Sequence, residues 1–341
     1  MDQNELNEKD VTRLLCDTDY LTKKYFRDPK FCMAYNKSSC SGEIIQSHII
    51  SKKYLINIAR DSHVYTPVGS SYHQSGLYEF KLKGLSQACH INGFCKKHDK
   101  NLFESFENFD FVGQYNQIYA LTFRAVCREY FQKLCLLDIY KKVKRGYFKK
   151  IEKTTFSSSS YFIENFKSLR SEIRDLKFIY TQLKKYNRSG IKYILMETSK
   201  IPISATGVIF PIRDATGKKI QGLNEKQLGF VYNLISLQDK SYILIATVKA
   251  FKGTYKVFME SIYNLPEDKK INFLLTYFFF NNDSIAISPE WYEGLSIDLQ
   301  KKLIGLMNLQ VGRYMELSEF TQLLNFATIT NTSILKAKII V

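Results

Sequence analysis

The chain has 341 residues, 45% hydrophobic and 24% charged, with 23 Tyr and 25 Phe, which is enough for two or three units with their own cores and too apolar for a disordered chain. Its formal net charge is +16, and Lys141 to Lys192 holds 15 basic against 4 acidic residues, which suits either a solvated helix face or a polyanionic partner: nucleic acid first, DNA before RNA, and an anionic membrane surface second. The polar, acidic opening MDQNELNEKD and the lack of an apolar run of about 18 residues argue against a signal peptide and a membrane span, while seven Cys in so long a chain suit a reduced, cytoplasmic protein better than a disulfide framework.

Residues 1–30 read as a polar lead-in with a short helical run from Val11 to Tyr25. All five histidines (His48, His63, His73, His90 and His98) and four of the seven cysteines (Cys32, Cys40, Cys89 and Cys95) then fall between positions 32 and 98. Tetrahedral zinc takes four soft or borderline ligands, usually as two pairs held on tight turns or helix starts. Cys32 and Cys40 bracket a polar loop that can fold back as a knuckle. Cys95 and His98 have the two-residue gap that sets both on the first turn of a helix. The expected zinc ligands are therefore Cys32, Cys40, Cys95 and His98, with Cys89 as the rival to Cys40, and with buried thiols and hydrogen-bonded core histidines as the metal-free alternative.

Between the two halves of this quartet, GEIIQSHIISKKYL predicts a strand through Ile44, Ile45, Ile49 and Ile50 with His48 near its end, then a helix from Lys52 capped by Ser51. The segment DSHVYTPVGSSYHQSG reads as a polar loop or hairpin with surface histidines at 63 and 73. Past Asp99 a short helix places Leu102, Phe103 and Phe106 on one face. Ala120, Phe123, Cys127, Tyr130, Leu134 and Leu137 give a long helix, and after a basic, Ser-rich break Phe162, Phe166, Leu169, Ile173, Leu176, Tyr180 and Leu183 give another. The two seams predict an antiparallel helical hairpin with its basic residues outward.

From Ile191 the pattern changes to strands at Tyr193 to Met196, Gly207 to Pro211, Gly229 to Ser236, Tyr242 to Val248 and Ile271 to Phe280. Two antiparallel hairpins are expected, 229–236 with 242–248 and 271–280 with 284–288 across NNDS. Helices near 290–308 and 317–326 follow, the first opened by Ser288 and Pro289, and a last strand lies near 334–340. The expected fold is α+β in three parts: a zinc-stabilised module over 1–110, a basic helical hairpin over 111–190, and an antiparallel-sheet α+β domain over 191–341.

Cys32 and Cys40, His48, His90, then Cys95, His98 and Asp99, in that order, make this stretch resemble the HNH-type, or ββα-metal, nucleases with a treble-clef zinc knuckle. The resemblance covers about 70 residues. It implies that His48 is the general base that activates water, that His90 stands at the middle position and orients the base or its loop, and that Asp99 holds a divalent ion such as Mg²⁺ or Mn²⁺ that offsets charge on the scissile phosphate. Ser47 stands where many members carry a metal-binding Asp or His.

The leading expectation is thus a metal-dependent nucleic-acid endonuclease, with structural zinc and with Lys141, Lys142, Lys144, Arg145, Lys149 and Lys150 gripping backbone phosphates. The C-terminal domain would supply regulation, a protein partner or target recognition, as in a bacterial defence effector. The competing expectation is a zinc-binding adaptor without catalysis. A third makes the C-terminal domain a sensor whose basic neighbour docks on a membrane or an acidic protein.

Overall fold

The computed structural model describes residues 31–34, 36–69, 78–151, 158–185, 190–222, 225–250, 253–280, 284–309 and 324–341; side chains at 35, 37, 143–151 and 158–165 lie outside the description. The expected helix at Val11 to Tyr25, His73 and most of the expected helix at 317–326 therefore fall outside the described residues.

The first unit is a pair of antiparallel strands, β1 (Ile44–His48) and β4 (His90–Cys95), followed at once by helix α2 (Lys96–Glu107). The expected short helix around Leu102, Phe103 and Phe106 is the C-terminal half of α2, and Phe103 and Phe106 are buried. Helix α1 (Lys52–Ile56) begins after Ser51 as its sequence predicts, although the Ser51 side chain makes no capping bond. Strands β2 (His63–Gly69) and β3 (Tyr78–Gly84) form the hairpin between.

Two long helices come next, α3 (Tyr115–Ile151) and α4 (Ser158–Lys185). They are antiparallel: Tyr119 bonds the Leu183 carbonyl, Phe123 stacks on Tyr180, Lys133 pairs with Glu172, and Tyr140 meets Phe166. The α4 seam is inward as its period predicts, with Leu169, Leu176 and Leu183 buried. In α3 every residue from Ala125 to Arg128 is buried, so this stretch has no solvent face. It is wedged between α2, α4 and the sheet.

The remainder supplies strands β5 (Ile191–Ser199), β6 (Ile203–Ile209), β7 (Phe230–Ser236), β8 (Lys240–Val248), β9 (Ile285–Ile287) and β10 (Ile334–Ile340). With β2 and β3 they form one antiparallel eight-stranded sheet in the order β10-β5-β8-β7-β6-β9-β2-β3. The hairpin expected for 229–236 and 242–248 is β7 with β8. Every residue of β7 is buried, which requires cover on both faces. Helices α5 (Thr254–Tyr263) and α6 (Glu267–Phe280) meet the Phe230 and Tyr232 face through Phe258 and Phe278, each ring pair at 4.4 Å, and α3 runs against β6, β7 and β8. Helices α7 (Pro289–Gly294), α8 (Ile297–Asn308) and α9 (Phe326–Ile329) complete an α+β protein.

One expected strand is a helix. Ile271 to Phe280 belongs to α6, whose residues from Lys270 onward are all buried except the half-buried Asn272. A helix buried all round has no polar face, so INFLLTYFFF shows neither helical nor strand period, and its aromatic richness imitates a strand. The distinguishing signal is Pro266-Glu267-Asp268, a helix opening with acidic residues in the first turn. The proposed hairpin across NNDS goes with it, since β9 pairs instead with β2 and β6. Helix α5 had no counterpart in the sequence reading.

The β2–β3 hairpin lies within residues 1–110 by sequence, yet it extends the C-terminal sheet through the Tyr65 to Ile287 bridge. One continuous hydrophobic core runs from Cys32 to Phe326.

Candidate metal centre and adjoining histidine pair

Cys95 ends β4 and His98 lies on the first turn of α2, so a strand-to-helix junction aims both side chains at one point. Cys32 and Cys40 come from the segment before β1. It is held to β4 by the Met33 N–H on the Gly93 carbonyl (2.7 Å) and by the Cys95 N–H on the Cys32 sulfur (3.3 Å). The ligand atoms of Cys32, Cys40, Cys95 and His98 all lie within 4.8 Å of one another, with His98 Nδ1 at 3.2 Å from the Cys95 sulfur and 3.5 Å from that of Cys32. Cys89, the rival ligand, is not part of this cluster.

The donor set suits a metal ion such as zinc. Three sulfurs and one imidazole match a structural zinc site, and zinc–sulfur bonds of about 2.3 Å place neighbouring ligands within such a spread. His98 Nε2 lies 3.0 Å from Ser39 Oγ, whose own hydroxyl donates to the Asn36 carbonyl. Ser39 must then accept from Nε2–H, which leaves Nδ1 unprotonated and facing the sulfurs, the tautomer a metal needs. Burial raises both thiols at the core of the cluster, and it pushes Cys32 up to about 11. At Cys95 burial is outweighed by hydrogen bonds from Ser41, the His98 backbone and Cys40, which bring it down to about 5.

The same strand pair carries His48 and His90 at directly opposed positions. Their Nε2 atoms lie 3.1 Å apart and their ring centroids 4.2 Å apart. His48 Nε2 also lies 3.1 Å from the Leu85 carbonyl. A carbonyl only accepts, so the His48 proton is on Nε2 and its lone pair on Nδ1. His90 Nε2 then faces that N–H as an acceptor, and its own proton sits on the buried Nδ1, with the Gln87 backbone as a neighbour of the ring. Burial lowers both imidazoles, His48 below its usual range and His90, with His48 adding to the effect, to about 4. Both are neutral near pH 7.

Asp99 reaches this end of the unit through Ser47, the neighbour of His48, whose hydroxyl donates to Asp99 Oδ1. The same oxygen lies 3.4 Å from Arg124 Nη2. Arg124, only 1% exposed, also bonds Glu107 at 2.7 Å and lies over the Phe103 and Phe106 rings, 4.1 and 5.1 Å from their centroids. Its Nε and Nη1 have no hydrogen-bond partner among the described residues. Among the described residues, His48, His90 and Asp99 do not themselves make a three-ligand cluster; only the Cys and His quartet does.

Sequence reasoning did not single out Ser39, the Leu85 carbonyl or Arg124. The signal for Arg124 was available, because an arginine amid an apolar helical run must have buried partners. Of the expected phosphate contacts, Lys141 and Lys142 are exposed on α3, Lys142 pairing with Asp138 at 3.5 Å. Lys144, Arg145, Lys149 and Lys150 follow on the same helix, with side chains outside those described. His63 is exposed and bonds the Asp61 carbonyl. No helix among the described residues is long and apolar enough to cross a membrane. Comparison with protein-family models, with curated proteins and with solved structures gives no match, so the reading of this site rests on its geometry.

Proposed function

We propose that residues 32–107 form a ββα-metal, treble-clef-like nuclease unit, with zinc on Cys32, Cys40, Cys95 and His98 as its structural centre, and that the protein hydrolyses phosphodiester bonds in nucleic acid. The observation that carries this reading is the bond from Ser47 to Asp99. It links the residue beside His48 to a carboxylate 52 positions away, at one end of a strand pair that is itself clamped by the metal ligands.

In this reading His48 Nδ1 takes the proton from the attacking water. Leu85 holds the ring by Nε2–H and fixes the basic nitrogen opposite. As His48 becomes charged, its Nε2–H strengthens as a donor to the Leu85 carbonyl and to His90 Nε2, which stabilises the imidazolium. Asp99 would hold a divalent ion through Oδ2, since Oδ1 is engaged by Ser47 and Arg124. Mg²⁺ commonly accepts one carboxylate and completes its shell with water and substrate phosphate. Such an ion would offset charge on the phosphate and the leaving oxygen.

A second reading, a zinc-binding adaptor without catalysis, is favoured by Arg124, whose guanidinium already neutralises Asp99. The two separate in one assay. Purified protein is incubated with plasmid DNA and with RNA in Mg²⁺ or Mn²⁺, beside His48→Ala and Asp99→Ala. The nuclease reading expects cutting by wild type and its loss in both variants; binding without cutting in either metal selects the adaptor.

A further inference from the structure

The solvent side of α4 carries a feature that the basic composition alone did not locate. Lys167, Arg170, Arg174, Lys177, Thr181 and Lys184 are all exposed and follow one another at steps of three and four, so they form a single ridge. At 1.5 Å per residue it is about 25 Å long. The acidic residues of the same described stretch point elsewhere: Glu172 pairs with Lys133 on α3, and Asp175 is buried against Arg174 and the Gln227 N–H. Lys167, Arg170, Lys177 and Lys184 make no ion pair among the described residues. Cations held apart on a rigid helix with the acids turned inward are arranged for an external polyanion rather than for internal pairing.

Two further observations narrow the partner. Among the described residues the two rings beside the ridge are both engaged: Tyr180 stacks on Phe123 and donates its hydroxyl to the Met33 carbonyl at 2.8 Å, and Lys226 covers the Phe178 face at 3.5 Å. Single strands are usually held by aromatic platforms, whereas a duplex presents only its phosphates to such a surface. The Tyr180 bond also ties this part of α4 to the residue after Cys32, so the ridge passes beside the metal-centre segment. We infer that the outer face of α4 is the docking track for a double-stranded nucleic acid, contacting its phosphate backbone through Lys167, Arg170, Lys177 and Lys184 and delivering it alongside the metal-bearing unit. The inference deepens the nuclease reading by naming the substrate form and where it is held.

The test is binding, measured on the full-length, zinc-loaded protein without added Mg²⁺ so that no cutting is required. Fluorescence anisotropy is recorded with a labelled duplex of about 20 base pairs, longer than the ridge, between about 50 and 200 mM salt. The variant replaces Lys167, Arg170, Lys177 and Lys184 by Gln; the control replaces the exposed Lys218, Lys219, Lys301 and Lys302 by Gln. Four lost phosphate contacts should flatten the salt slope by about 3.6, so that across this range wild type and control lose about 150-fold more affinity than the ridge variant. The double variant Lys177→Gln/Lys184→Gln should show about half the change in slope and serves if the quadruple variant does not fold. An unchanged slope in the ridge variants overturns the inference, as does tighter binding of wild type to the matching single strand or to phosphatidylserine vesicles. A protein that never cuts yet shows the ridge-dependent slope sinks the nuclease reading and leaves the docking track standing.

Discussion

Ser39 Oγ lies 3.0 Å from Nε2 of His98, on the side of the ring away from the cysteine sulfurs. One hydroxyl next to a cysteine of the cluster therefore sets which imidazole nitrogen would face a bound metal. Ser39→Ala removes that restraint without touching a ligand. Zinc affinity should fall about 10- to 100-fold, read by competition with a chromogenic chelator, while the folded spectrum is kept. Unchanged affinity would mean that the ring is oriented by the cysteines alone.

Purified wild type should contain about one zinc per chain, and Cys32→Ser or Cys95→Ser almost none, by elemental analysis. Cys89→Ser should keep its zinc, because Cys89 lies outside the cluster. If the ion binds the folded state with a free concentration near 1,000 times its Kd, its removal costs about 4 kcal/mol, visible as a lower Tm after chelation.

Arg124 is the cation of a buried network with Asp99 and Glu107. Arg124→Met keeps the bulk and removes the charge, leaving two carboxylates in partly buried surroundings. Urea unfolding should show a loss of about 3 kcal/mol. Adding Glu107→Gln should recover part of it, since one stranded carboxylate is then gone. A variant as stable as wild type would show that Arg124 contributes packing only.

His90 is lowered to about 4 in the folded protein by burial and by His48, against about 6.5 when unfolded. The unfolded chain therefore binds the proton first as pH falls, so stability is full above about pH 6.5 and declines toward pH 4. Allowing for partial exposure, about 2 kcal/mol should be lost across that window. His90→Asn should remove this part of the decline, and comparing the two urea stability profiles cancels the shared loss of metal. Parallel profiles would show that His90 titrates normally.

Much of the candidate site was legible because it is local. Cys95-Lys-Lys-His98 declares a convergent pair by spacing alone, and the strand ending at His48 and the helix after Ser51 follow from short-range pattern. The seam of α4 was equally plain, since from Phe166 onward one face is wet and the other dry. Helix α6 was misread because from Lys270 onward its surroundings are dry on nearly every side, and periodicity reports a contrast between faces that this stretch lacks.

The amino-acid order by itself determined which residues could ligate, where the apolar faces lie, and that a strongly basic stretch sits on helices. Tertiary structure alone decided that Cys40 and not Cys89 joins the quartet, that the β2–β3 hairpin extends a sheet built mostly after residue 190, and that Arg124 reaches Asp99. The reason is physical. Side-chain period and ligand spacing are properties of a few neighbouring bonds, whereas pairing a buried charge or closing a sheet depends on which distant surfaces share one core and lose their water together.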